Sequence, residues 1–162
     1  MYEVIFNIKY EGFWSLLFIL PGILFMCIAI GVIKNQDKVI EYNGRKAGKK
    51  QSTLRFKVKM GVFLSFSILW TGLAGYGVGS QLYSLLSDYS AGKYSIVEGQ
   101  VEKLYYNGKY ESFSINGVSF RYSESSVTPG FNNTNGPIRE GLDLRISYIK
   151  NTILKIEVLE AL

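Results

Sequence analysis

Residues 12–33 read GFWSLLFILPGILFMCIAIGVI and residues 60–87 read MGVFLSFSILWTGLAGYGVGSQLYSLLS; neither stretch holds an Asp, Glu, Lys or Arg. A helix crosses the hydrocarbon of a bilayer with about 20 apolar residues, and both stretches reach that length. They predict a membrane α-helical hairpin of two transmembrane helices. Working outward, the 162 residues divide into an N-terminal tail (1–11), the hairpin (12–87) with a basic loop (34–59), and a small C-terminal domain (88–162).

The charge is placed as unevenly as the apolar residues. Nine basic side chains (Lys34, Lys38, Arg45, Lys46, Lys49, Lys50, Arg55, Lys57 and Lys59) lie in the loop against Asp37 and Glu41, a net +7 out of +5 for the whole chain. The tail and the C-terminal region are each near −1. Short Lys/Arg-rich loops stay in the cytoplasm during insertion, so the loop is expected inside and both termini outside. Membrane lipid is then a partner, because a basic juxtamembrane segment suits anionic headgroups.

Composition removes several classes of chemistry. Cys27 is the single cysteine and there is no histidine, so neither an internal disulfide nor the commonest general base and metal ligand is present. No C-x-x-C, G-x-S-x-G, H-E-x-x-H or P-loop occurs. The expectation is a non-enzymatic protein without a cofactor or metal. The first apolar run exceeds a signal-peptide core and no A-x-A site follows it, which argues for a retained helix. Neither span contains an Asp, Glu, His, Lys or Arg, the usual mark of a pump or secondary transporter.

Within the second span, Ser67, Thr71, Gly75 and Gly79 recur every fourth residue. Such a stripe lets helix backbones approach closely. It serves either a homo-oligomer or packing against the first helix, where Cys27 and Gly31 offer a matching pair. The tail, MYEVIFNIKY, alternates Tyr2, Val4, Phe6, Ile8 and Tyr10. That period predicts a strand on an edge of the C-terminal sheet, with an interfacial helix as the competing reading.

From residue 97 the pattern becomes strand-like. Val97 and Val101 alternate with Glu98 and Glu102, and a shift near Lys103 suggests a bulge before Leu104 and Tyr106. Asn107-Gly108 and Asn116-Gly117 are hairpin turn signals around Phe113 and Ile115, with Val118, Phe120 and Tyr122 beyond. After a long loop, Leu142, Leu144, Ile146 and Tyr148 alternate with polar residues. Asn151-Thr152 turns the chain into Leu154, Ile156 and Val158. Five strands in about 70 residues predict an all-β domain, a five-stranded OB-like barrel, with an open SH3-like barrel giving nearly the same pattern.

Loop 123–141 is the unusual element, since structureless loops of this length are often functional. Pro129, Gly130, Phe131, Asn132 and Asn133, with Arg139 and Glu140, are its candidate binding residues. Arg121 and Arg145 on neighbouring strands complete a polar rim, or are simply the outward faces of half-buried strands. The domain is near neutral, which does not fit a nucleic-acid groove.

The pieces EGQVE (98–102), ESFSINGVSFRYS (111–123), PGFNNT (129–134) and GPIREGLDLRISY (136–148) resemble a C-terminal module of small bacterial membrane proteins. The resemblance covers about 60 residues and implies a bacterial inner-membrane setting, without an activity. The architecture also resembles that of NfeD-like proteins, which attach an OB domain to membrane helices and are thought to assist membrane-protein assemblies. The function expected is an accessory or scaffold protein whose external barrel binds a partner protein or envelope component. The alternative is a ligand-gated oligomeric effector whose barrel senses a small anion through Arg121, Arg139 and Arg145.

Overall fold

The alternation of the first residues does form a strand. In a computed structural model describing residues 2–47 and 53–159, β1 (Tyr2–Asn7) leads through a single turn, α1 (Ile8–Glu11), into a 3-10 segment (Gly12–Ile19) and then α2 (Leu20–Lys34). Pro21 sits in the first turn of α2, where its missing N–H is no loss. Asn7 caps α1, its side chain accepting from the Lys9 amide, and Glu11 Oε1 accepts from the Asn7 amide at 3.1 Å.

The expected loop 34–59 is largely helical among the described residues. Asn35 turns the chain, α3 runs over Gln36–Ala47, and α4 begins at Thr53. Lys49 and Lys50 lie outside the described residues. The expectation failed because this segment has few apolar residues to show a period, whereas its Lys, Arg and Gln are good helix formers. At 38 residues α4 (Thr53–Ser90) is ~57 Å long at 1.5 Å per residue. That exceeds one hydrocarbon thickness, ~30 Å, by several turns.

Six further strands follow: β2 (Ser95–Gln100), β3 (Glu102–Tyr106), β4 (Glu111–Ile115), β5 (Val118–Tyr122), β6 (Asp143–Ile149) and β7 (Thr152–Leu159). They form two antiparallel sheets, ordered β1-β7-β6-β2 and β3-β4-β5. The five-stranded barrel is therefore corrected. The sheets do not close on one another, and a strand from the tail joins the five expected. Strand counting cannot tell whether the ends of a curled sheet meet.

The long first strand breaks where expected. Lys103 takes φ +55 at a register shift between Glu102 and Tyr105 inside β3, just after Val101 parts β2 from β3. At Asn116-Gly117 both φ values are positive, as a type I′ turn requires. At Asn107-Gly108 only the glycine's is, and the Asn107 side chain accepts from the Lys109 and Tyr110 amides instead. The last turn is Lys150-Asn151, one residue earlier than expected.

Residues 2–17 and 78–159 form one compact unit. Its core holds Val101, Phe113, Ile115, Phe120, Leu144, Ile146, Leu154 and Ile156 from the strands, together with Phe6, Ile8, Leu82 and Leu85 from the tail and the end of α4. A bulge between Val4 and Phe6 turns Phe6 inward and leaves Val4 exposed. Tyr106, expected inside, is exposed.

Residues 18–47 and 53–77 belong to the second unit, in which α2 and α4 run antiparallel. Phe18 faces Trp70 at 5.5 Å between ring centroids and Phe25 faces Phe63 at 5.8 Å. Gly22 and Ala29 are the buried positions of α2; Cys27 is exposed and Gly31 has no neighbour where a side chain would stand. The Cys27/Gly31 pairing is thus corrected to a face seven residues long, two turns of helix. A side chain at Gly22 would collide with Thr71 and Trp70. Gly22→Leu is expected to destabilise this helix pair by about 1–3 kcal/mol through overpacking. Gly31→Leu is expected to be silent. Thermal unfolding in detergent, followed by Trp70 fluorescence, checks both; equal melting of the two variants would refute the assigned face.

Candidate binding surface

Loop 123–141 is built as much inward as outward. Pro129 is fully buried, and any side chain at Gly130 would strike Thr152 and the Ile153 carbonyl. The Phe131 amide donates to the Ile153 oxygen at 3.1 Å, and its ring meets Phe6 at 5.4 Å and Tyr122 at 5.0 Å. Ile138 is 1 % exposed. These residues tie the loop to β1, β5 and β7 rather than offering a contact. Asn132 reaches back to the Ser126 carbonyl at 3.1 Å. Asn133, Arg139 and Glu140 are exposed, as are residues 124–127.

Under this loop lies a buried carboxylate. Glu111, 2 % exposed, accepts the Tyr122 hydroxyl on Oε1 at 2.5 Å and the Asn135 amide on Oε2 at 2.5 Å. Burial, then the hydrogen bond to Glu111 and its charge, push the Tyr122 phenol well above the ordinary tyrosine range. Asn135, at φ +53, turns its amide into the site. Glu111 was legible in principle, because it takes the same inward register on β4 as Phe113 and Ile115.

The three arginines do not converge. Arg121, on β5 opposite Ser112, stacks 3.5 Å above the Tyr110 ring centroid. Arg139 donates to the carbonyls of Gly136 and Ile138 within its own loop. Arg145, on β6, pairs with Glu98 at 2.9 Å and approaches Glu157, which also holds Lys155 at 2.7 Å. The ladder across β2, β6 and β7 spends those charges locally, where exposed pairs contribute about 0–1 kcal/mol each.

The small-residue stripe divides. Ser67 is fully buried and donates to the Phe63 carbonyl at 2.8 Å, Thr71 donates to the Ser67 carbonyl at 2.7 Å, and a Cβ placed on Gly75 would stand 3.7 Å from Ile19. These three face the first helix of the same chain, whereas Gly79 has open space beside it. Comparison with protein-family models, with curated proteins and with solved structures finds no match for the chain.

Proposed function

We propose that the chain is an integral protein of a bacterial cytoplasmic membrane, an accessory or scaffold component without catalytic activity. Both termini and the β unit lie outside, segment 34–59 lies in the cytoplasm, and the β unit binds a partner protein or another envelope component.

The apolar surface of the helices carries this reading. Ile8–Lys34 and Thr53–Ser90 are both long and apolar enough to cross a membrane, and only 11 % of the apolar window of each is buried. A helix from a soluble core would be mostly buried. Here Leu20, Ile23, Leu24, Ile68, Leu69 and Leu73 are all 42–65 % exposed. Left in water, that surface would be an aggregation liability; lipid covers it without further structure. The +7 at one end of the hairpin orients it by the positive-inside rule. The antiparallel pairing of β1 with β7 supports two crossings, because it needs the ends of the chain on one side. For partner contact the β unit offers Tyr105 and Tyr106 on β3, with Val127, Arg139 and Glu140 of the loop. Exposed aromatic and arginine side chains of this kind are enriched in protein contacts.

Reporters fused after Leu162 test the orientation. Alkaline phosphatase is expected to be active and green fluorescent protein dark. The reverse result would put the β unit in the cytoplasm and overturn the proposal. A photo-crosslinker at Tyr106 is then expected to trap one discrete envelope protein, whereas the same probe at Lys93 traps none.

A further inference from the structure

Two concavities of the β unit are lined by charges of opposite sign. One, of about 240 Å³, is lined by Glu98 and Asp143 among others. The other, of about 300 Å³, is lined by Lys103, Ser112, Ser119, Arg121 and Asn151 together with Phe113, Ser114 and Phe120, with no carboxylate among its lining residues. We propose that this second concavity is an anion site that takes a phosphoryl group, held by Lys103 and Arg121 and hydrogen-bonded by the Ser112, Ser119 and Asn151 side chains. The inference does not depend on the membrane reading, because every residue it uses belongs to the β unit.

Three observations converge. First, the two cations are unneutralised. Arg145 and Lys155 have carboxylates within 4 Å, while among the described residues neither Lys103 nor Arg121 has one. Two like charges lining one concavity repel each other until an anion lies between them.

Second, the Arg121 side chain and the Lys103 backbone are both fixed. Arg121 rests its guanidinium face on Tyr110, which leaves the N–H edge for the bidentate geometry that arginine makes with oxyanions. Lys103 sits at φ +55 in the bulge, a conformation that costs a non-glycine residue energy and clusters at functional positions.

Third, the donors suit a tetrahedral dianion. Serine hydroxyls and an asparagine amide add neutral N–H and O–H groups to the two cations. Together these exceed the hydrogen-bonding capacity of a single carboxylate's two oxygens. A phosphoryl group presents three acceptor oxygens and up to two charges. Arg121 thus keeps the anion-binding part expected of it, with Lys103 taking the place of Arg139 and Arg145.

The test is titration calorimetry of the full chain in a maltoside detergent with inorganic pyrophosphate as the probe. Saturable binding is expected, weakened at least tenfold by Lys103→Gly and by Arg121→Gln and unchanged by Lys93→Gln. Glycine accepts φ +55 freely, so Lys103→Gly removes the charge and is expected to melt no lower than the parent. Non-saturable heat in the parent, or one affinity across all four proteins, would overturn the site. Nanodiscs then distinguish the source of the phosphoryl group. If phosphatidylglycerol discs weaken pyrophosphate binding tenfold relative to phosphatidylcholine discs, the site reads a lipid headgroup. Equal affinity in both discs assigns it to a soluble or polymeric phosphate.

Discussion

A fragment carrying only residues 88–162 is expected to be unfolded in water at room temperature. The strands alone do not close the core: Phe6, Ile8, Leu82 and Leu85 are each at most 8 % exposed and all lie outside that fragment. Burying each such side chain contributes about 1.5–3 kcal/mol, so their loss removes about 6–12 kcal/mol, an upper estimate against a partly collapsed unfolded chain. A domain's whole stability is about 5–15 kcal/mol. The fragment also strips β1 from β7, exposing a long edge with Ile153, Leu154 and Ile156 beside it. Circular dichroism and the amide dispersion of a nitrogen-15 spectrum measure the outcome. A cooperative melt with well-dispersed amides would show that the tail and the end of α4 are dispensable. In the full chain, Ile8→Ala should lower stability by about 2–5 kcal/mol, the range for deleting a fully buried isoleucine.

These four residues were not equally legible. Phe6 was legible as a strand residue, because the alternation at period two is kept over Tyr2–Asn7, whereas Ile8, expected on the same strand, opens α1. Leu82 and Leu85 were not legible. They lie within an apolar run where every residue satisfies the membrane criterion, so periodicity cannot separate a side chain facing lipid from one facing a β core. Gly22 was hidden in the same way. Glycines are interchangeable in a composition, and only the facing Thr71 and Trp70 distinguish Gly22 from Gly31. In the β unit the opposite holds. Phe113, Phe120, Leu144 and Ile156 were set inward by their register, and the bulge at Lys103 and the turn at Asn116-Gly117 by backbone chemistry. Long-range facts escaped: whether the sheets close, and which arginine meets a carboxylate. Pro129, Gly130 and Phe131 look in sequence like any exposed turn, and their burial depends on Phe6 of β1, Tyr122 of β5 and Ile153 of β7, contacts that no local pattern announces.

Glu111→Ala is expected to cost about 3–5 kcal/mol and to free the loop, because a carboxylate that satisfies one buried and one part-buried donor cannot be removed without stranding both. Charge-assisted hydrogen bonds contribute about 1.5–3 kcal/mol each, and an unmet buried donor costs about 1–3 kcal/mol. In the variant the Tyr122 hydroxyl and the Asn135 amide lose their acceptors together. Glu111→Gln keeps one oxygen for Asn135, and its amide can donate to the Tyr122 oxygen, so a loss of about 1–2 kcal/mol is expected. Chemical unfolding gives the ranking, and proteolysis at the exposed residues 124–127 should quicken in the alanine variant alone. Equal stability of Glu111→Ala and the parent would mean that the carboxylate does not tie the loop to the sheet. The alkaline limb gives an independent reading of the same contact. The Tyr122 phenol is raised in the folded protein from an ordinary value of 10.0, so its contribution is complete below pH ~10 and declines above it, once the unfolded chain can ionise and the folded chain cannot. Tyr122→Phe should therefore flatten the fall in stability between about pH 10 and pH 11 relative to the parent, with the remaining tyrosines and lysines cancelling in the difference. An unchanged slope would mean that the Tyr122 hydroxyl is not held against Glu111 in solution.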